Sequence, residues 1–261
     1  MNRLLFFASE RQGDRVLLSA AQAVHLREVL RATAGQRLRA GIVNGTPGSI
    51  LVNDLLPGAE ARFHEEADQP QEDSLGLDVV LALPRPQTLR KVLLALPQLG
   101  VERLFLVRSA RVEKSFFASP LLSDGEWRRH LLAGMEQAGS CWMPRIELHP
   151  LFRPFVEDRL PEVLAPSTRR LLPHPGSAPG LGALWGQTLP GRICLAIGPE
   201  GGWQDHELEH FNAAGFEEHS LGARILRVET ALSVLAGQVA LLRQGAPMQA
   251  SPVKSSTKET R

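Results

Sequence analysis

The sequence predicts an α/β protein, a parallel sheet with helices on both faces, preceded by a small β-barrel domain that carries one helix. Three observations lead there. Apolar runs at 77–83, 101–107, 145–149, 169–172 and 193–197 are interleaved with helical patterns at 87–99, 123–138 and 230–243. Such alternation builds parallel sheets covered by helices. Before residue 64 the chain reads instead as short strands, at 3–7, 15–18, 37–43, 49–55 and 60–63, with a single helical stretch at 19–31. Between these regions, residues 64–73 carry five acids and one proline with almost nothing apolar, as a solvated linker does. The expected division is a barrel over 1–68, an α/β domain over 74–245 and a disordered tail over 246–261, rich in Ser, Pro, Lys and Thr.

In the first region Asn44-Gly45 lies between two strand-like runs, a strong hairpin signal. Ser19 is a candidate N-cap for the helix, and Val24, Leu26, Val29 and Leu30 form its apolar stripe. Arg27 and Arg31, four residues apart on that helix, would share one face and present two guanidiniums to a phosphate ladder. Solvated arginines beside Glu28 are the alternative. Residues 1–63 hold eight arginines against five acids, although the whole chain has a net charge of only +1. Arginine far outnumbers lysine throughout, which suits bidentate phosphate contacts.

Several classes of function are disfavoured. No apolar run approaches the ~20 residues that cross a bilayer, and the stretch 4–8 is too short for a secretory leader. Cys141 and Cys194 lie far apart and the eight histidines are scattered, so neither a disulfide framework nor a metal site is expected. A reduced, cytoplasmic protein is the simplest reading. The closing helix at 230–243 is apolar nearly all round, with Ala231, Leu232, Val234, Leu235, Ala236, Val239 and Leu242, so more than one side must be covered. A central core helix and a dimer helix both satisfy that pattern.

Chemistry concentrates in two loops. The run 193–197 breaks into Gly198-Pro199-Glu200-Gly201-Gly202-Trp203, and about twenty residues later comes the block running from Leu221 and Gly222 through Arg224, Ile225, Leu226, Arg227 and Glu229 to Thr230 and Ala231. Glycine lets a chain turn sharply and bring its backbone close to a ligand. The first loop lacks the Lys-[Ser/Thr] of a P-loop and the G-x-G-x-x-G spacing of a dinucleotide fold, and Glu200 would repel phosphate. A neutral or cationic nucleoside fits better.

These two blocks resemble the cofactor site of the SPOUT methyltransferases, and in detail that of the ribosomal RNA small subunit methyltransferase E family. His25-Leu26-Arg27-Glu28-Val29-Leu30-Arg31 is similar to that family's H-x-x-x-V-L-R pattern. The resemblance implies a trefoil-knotted parallel sheet, a PUA-like barrel, a homodimer, and methyl transfer from S-adenosylmethionine to N3 of a uridine in 16S ribosomal RNA. It also implies a cofactor site of Leu172, His174 and Pro175, of Ile197, Gly198, Glu200, Gly201 and Gly202, and of Leu221, Gly222, Ile225, Leu226, Arg227, Thr230 and Ala231. Arg224 or Arg227 would stabilise charge on the base, and Glu229 or Glu200 would take its proton; Arg227 and Glu229 could instead form an internal ion pair.

The chain departs from the family pattern where Ala95 and Gln98 replace a lysine and a glutamate, and where Ser140 replaces an arginine. These departures leave a cofactor-binding RNA-interaction protein with altered substrate or lost catalysis as the alternative; a Rossmann-type oxidoreductase, the other rival, is disfavoured by the missing G-x-G-x-x-G.

Overall fold

In a computed structural model, which describes residues 3–66, 75–176, 178–187 and 191–245, the N-terminal region forms one six-stranded sheet. Its strands are β1 (Leu4–Phe6), β2 (Arg11–Gln12), β3 (Arg15–Leu17), β4 (Gln36–Ile42), β5 (Pro47–Val52) and β6 (Glu60–Glu65). They lie in the order β1-β4-β5-β6-β3-β2, with β1 parallel to β4 and every other pairing antiparallel. Edges remain at β1 and β2, so the described pairings make a half-barrel. Side chains alternate across the sheet. Val16, Ala40, Ile50, Val52, Ala61 and Phe63 face a core closed by Leu26 of the helix. The Asn44-Gly45 turn stands where expected, with Asn44 at φ 56° and the Gly45 amide donating to the Ile42 carbonyl at 2.9 Å.

The helix begins as its sequence predicts and ends differently. Ser19 Oγ accepts from the Gln22 amide at 3.2 Å and Gln22 Oε1 accepts from the Ser19 amide at 2.9 Å, a reciprocal cap for α1 (Ala20–Val24). The chain then widens into a π turn over His25–Val29. One extra residue per turn rotates the expected stripe, leaving Leu26 buried but Val24 40% and Val29 64% exposed. Arg31 sits beyond the helix at φ 49°, in the left-handed region. Arg27 and Arg31 therefore do not share a helical face, which corrects the expected phosphate pair.

The second sheet is wholly parallel: β7 (Leu77–Ala82), β8 (Val101–Val107), β9 (Arg145–His149), β10 (Arg169–Pro173), β11 (Ile193–Ile197) and β12 (Glu217–His219), in the order β12-β10-β11-β7-β8-β9. Continuous burial along β7 and β11 explains their unbroken apolar sequences. The one exception, Asp78, is buried at the start of β7. Its carboxylate accepts from Arg103 Nε at 2.8 Å and Arg192 Nη1 at 3.0 Å, and Arg192 also donates to Glu102 at 2.7 Å. A buried carboxylate needs such partners.

Helices α2 (Pro86–Ala95), α3 (Asp124–Ala138) and α7 (Val228–Gly245) pack in the order α3-α2-α7. α4 (Phe152–Pro154) runs through a π turn into α5 (Leu160–Val163), and that turn meets α6 (Asp205–Ala213). The chain path matters for the site. After β11 it crosses past β10 to place β12 at the sheet edge, then returns as α7 to pack on β11, α2 and the 3-10 turn Leu181–Leu184. On α7, Leu232, Leu235, Ala236, Val239 and Leu242 are buried, while Val234 and Leu241 stay 39% and 53% exposed. Within one chain the helix is thus covered on one face only, not all round.

The two sheets are joined through β1 and the end of α3. The Arg3 amide donates to the Glu136 carbonyl at 3.1 Å, the Asn44 amide to the Cys141 carbonyl at 2.7 Å, and the Met143 amide to Asn44 Oδ1 at 2.9 Å. Leu5, Met135 and Cys141 fill the space between. Ser140 is buried in this joint, its Oγ accepting from the Trp142 amide at 3.0 Å. The expected linker centre and the 246–261 tail fall outside the described residues.

Candidate active site

Three loops, at the carboxyl ends of β10, β11 and β12, line an open cleft. Ligands in open α/β sheets bind at this end of the strands. The loop after β11 turns back at Gly202, whose amide donates to the Pro199 carbonyl at 2.8 Å and whose φ of 73° an L side chain rarely adopts. The loop after β12 turns at Gly222, at φ 94°, with its amide donating to Ser220 Oγ at 3.0 Å. The third loop leaves β10 as Pro173-His174-Pro175, anchored by the His174 amide on the His219 carbonyl at 2.9 Å.

The lining includes His174, Pro175, Ile197, Gly198, Glu200, Gly202, Leu221, Gly222, Arg224, Ile225, Leu226 and Ala231, all of them expected from the sequence. Leu172, Gly201, Arg227 and Thr230 lie outside it: Leu172 is buried within β10, and the other three are exposed on their loops or helix. Glu229 is also outside. It accepts from Lys91 Nζ at 3.0 Å rather than from Arg227, and this bond holds its carboxyl below the usual carboxylate range. A carboxylate so engaged is a weak base. In place of the alternative considered for it, an internal ion pair with Arg227, Glu229 ties α2 to the start of α7.

Pro173, Pro199, Trp203, Val228 and Leu235 line the cleft without having been foreseen. For α7 the signal was present: Val228, Ala231 and Leu235 recur at helical spacing and share the inner face. Trp203 directly follows the glycine pair and packs against Phe211 and Phe152, with ring centroids 4.9 Å and 5.9 Å away. Its Nε1 is buried without a hydrogen-bond partner, and a Cβ on Gly198 would stand only 3.2 Å from the indole.

Two further residues shape the loop from outside. Glu207, on α6, is 1% exposed; one carboxylate oxygen accepts from the Ala110 amide and the other from the Gln204 amide, each at 2.8 Å. It pins the loop after β8 to the start of α6. From that loop Arg111 donates to the Gly201 carbonyl and reaches the Gly202 carbonyl at 3.5 Å. No motif marks either residue, because they meet only through the crossover from β8. Among the described residues no three His, Cys, Asp or Glu side chains gather into a possible metal site, and no helix is long and apolar enough to cross a membrane.

The RNA methyltransferase domain family, compared as a sequence model, matches residues 71–240, the whole of the parallel-sheet region. A ribosomal RNA small subunit methyltransferase E from Treponema pallidum is 31% identical over 240 residues, covering 88% of this chain and 87% of that one. The protein of the same name from Synechocystis is 31% identical over 226 residues, covering 86% of this chain and 72% of that one. The chain belongs to the ribosomal RNA small subunit methyltransferase E family. Its fold is shared with the crystal structure of such an enzyme from Neisseria gonorrhoeae bound to S-adenosyl methionine, at a TM-score of 0.73 and 23% identity over 92% of this chain and 98% of that chain. A putative methyltransferase from Legionella pneumophila, also in complex with that cofactor, gives a TM-score of 0.71 at 21% identity over 94% and 99% of the two chains.

Proposed function

We propose that this protein is a cytoplasmic enzyme that transfers the methyl group of S-adenosylmethionine to N3 of a uridine in 16S ribosomal RNA. The observation that carries the reading is the cleft itself, where three loops meet at the strand ends with an apolar lining, one carboxylate and one guanidinium. The donor set suits the cofactor. Ile197, Leu221, Ile225 and Leu226 offer apolar surface to an adenine ring, the glycine turns bring backbone amides and carbonyls to the cleft, and the buried Trp203 Nε1 is a donor still lacking an acceptor. No cluster of lysines that would favour a polyphosphate lines it.

When bound, S-adenosylmethionine supplies an electrophilic methyl group on a sulfonium. The protein's own task is to make a poor nucleophile competent. Uridine N3 carries an imide proton, and the base becomes nucleophilic as that proton leaves. Of the two carboxylates considered for this step, Glu200 lines the cleft and Glu229 is spent on Lys91, so Glu200 is the acceptor. Arg224, also in the lining, stabilises the negative charge that then spreads over O2 and O4.

The same reading includes three features of assembly. The return of α7 past the β10 to β11 connection, after β12 has crossed β10, supports a trefoil knot. The half-barrel with its capped helix supports a PUA-like domain. Val234 and Leu241, seven residues apart and exposed on one face of α7, support a homodimer seam. The test is transfer of labelled methyl to 16S ribosomal RNA, free or within the small subunit. Arg224→Ala should lower kcat by about 10²-fold with little change in cofactor affinity. Cofactor binding with no transfer to either substrate would instead support an RNA-interaction protein.

A further inference from the structure

Cross-strand register lines up the arginines of the N-terminal sheet. Arg37 of β4 lies opposite Leu51 of β5, Leu51 opposite Arg62 of β6, Arg62 opposite Arg15 of β3, and Arg15 opposite Gln12 of β2. A second row runs two residues away, with Arg39 opposite Ser49 and Ser49 opposite His64. Residues directly opposite share a face of the sheet, and residues two apart on a strand share it too. The core residues Ala40, Ile50, Ala61 and Phe63 occupy the alternate positions, so both rows lie on the face away from that core, where Ser49 is buried and the β1 end, at Leu5 and Gly41, packs against Cys141. Arg15, Arg37, Arg39 and Arg62 are all exposed.

A sheet built only for stability would not be arranged this way. Like charges directly opposite each other are destabilising, yet Arg62 and Arg15 are such a pair. Asp14, 3.5 Å from Arg62, and Glu60, 3.0 Å from Arg15, moderate the repulsion through exposed ion pairs that contribute little. Arg37 and Arg39 have no hydrogen-bond or ion-pair partner among the described residues. Strand geometry sets Arg37 and Arg39 about 7 Å apart along β4, and Arg37 and Arg62 about 10 Å apart across two strands. The face is a grid of fork-shaped donors, with Leu51 and Glu60 set among them, and such forks match phosphate oxygens. It carries no Phe or Trp, and its one aromatic ring, His64, is half-buried beside the buried Ser49, so it offers little on which an unstacked base could lie and suits the backbone of a paired segment better than a single-stranded loop.

We propose that this outward sheet face, centred on Arg37, Arg39 and Arg62, grips the sugar-phosphate backbone of a base-paired part of the RNA substrate. The inference rests on the methyltransferase reading for the identity of that RNA, and it moves recognition from the helix of Arg27 and Arg31 to the sheet. The test is the salt dependence of binding to a 20-base-pair RNA duplex and to transcribed 16S ribosomal RNA, using the full chain. The R37A/R39A variant should unfold like the wild type, bind S-adenosylmethionine normally, and lose affinity for both RNAs, with the log-log salt slope reduced by about 1.4 to 1.8. R27A/R31A should stay near the wild type. An unchanged affinity and slope in R37A/R39A, a loss confined to R27A/R31A, or a wild type that binds no duplex would each overturn the proposal. A wild type that binds RNA through this face yet transfers no methyl group would leave the proposal standing and sink the enzymatic reading.

Discussion

Glu207 offers a quantitative test of how the site is held together. Replacing it with glutamine keeps the side chain's shape but leaves one oxygen for two amides, those of Ala110 and Gln204, each of which now donates to its own carboxylate oxygen at 2.8 Å. A hydrogen bond to a charged group contributes about 1.5 to 3 kcal/mol, and a buried donor left unmade costs about 1 to 3 kcal/mol. The substitution should therefore destabilise the protein by about 2 to 4 kcal/mol, a large part of a typical total of about 5 to 15 kcal/mol. Because the freed loop carries Arg111, whose guanidinium braces the Gly201 and Gly202 carbonyls, cofactor affinity should fall as well. Urea unfolding measures the first effect and titration calorimetry the second. Arg111→Ala separates them, since it should weaken cofactor binding while stability changes by less than about 0.5 kcal/mol, as is usual for an exposed side chain. If Glu207→Gln unfolds within that same margin of the wild type, the carboxylate does not pin the loop.

Other substitutions probe the remaining parts of the account. Gly202→Ala places a Cβ at φ 73°, at a cost of about 1 to 2 kcal/mol, and should weaken cofactor binding by calorimetry more than Gly201→Ala, whose Cβ would meet only the Arg111 side chain at 3.0 Å. Leu241→Glu, at an exposed position, should yield a folded monomer by light scattering, whereas Leu235→Glu, at a position with no exposure, should fail to fold because it buries an unpaired charge. Glu136 has its carboxyl pKa raised above the ordinary 4.5 by burial, so its ionised form opposes folding. Glu136→Gln should accordingly raise the unfolding midpoint at pH 7, and that gain should disappear as the pH falls below about 4.5.

The sequence made the strands and the cleft legible for different reasons. β7 and β11 are buried on both faces, so their apolar runs are continuous and easily read. The glycines at 202 and 222 announce turns because only glycine tolerates their positive φ without strain. What escaped was set by tertiary context. Helical periodicity assumed 3.6 residues per turn, and the π turn after Val24 broke that assumption, moving Val29 to solvent and Arg31 off the helix. The arginine rows depend on strand register, which is invisible while the strands are read singly. Glu229 was a candidate proton acceptor or a partner for Arg227, and neither reading could foresee Lys91 reaching it from 138 residues away. Ser140, in place of an arginine, had suggested an altered RNA face; its burial puts that change in the joint between β1 and α3.

The most direct test of the central claim is to treat unmodified 16S ribosomal RNA, free and within small subunits, with the purified protein and S-adenosylmethionine, then to digest it and identify the methylated nucleoside by mass spectrometry. The account predicts one 3-methyluridine per RNA, strongly diminished with Arg224→Ala. A methyl group on ribose, on carbon or on another base would contradict it, as would 3-methyluridine formed at full rate by that variant.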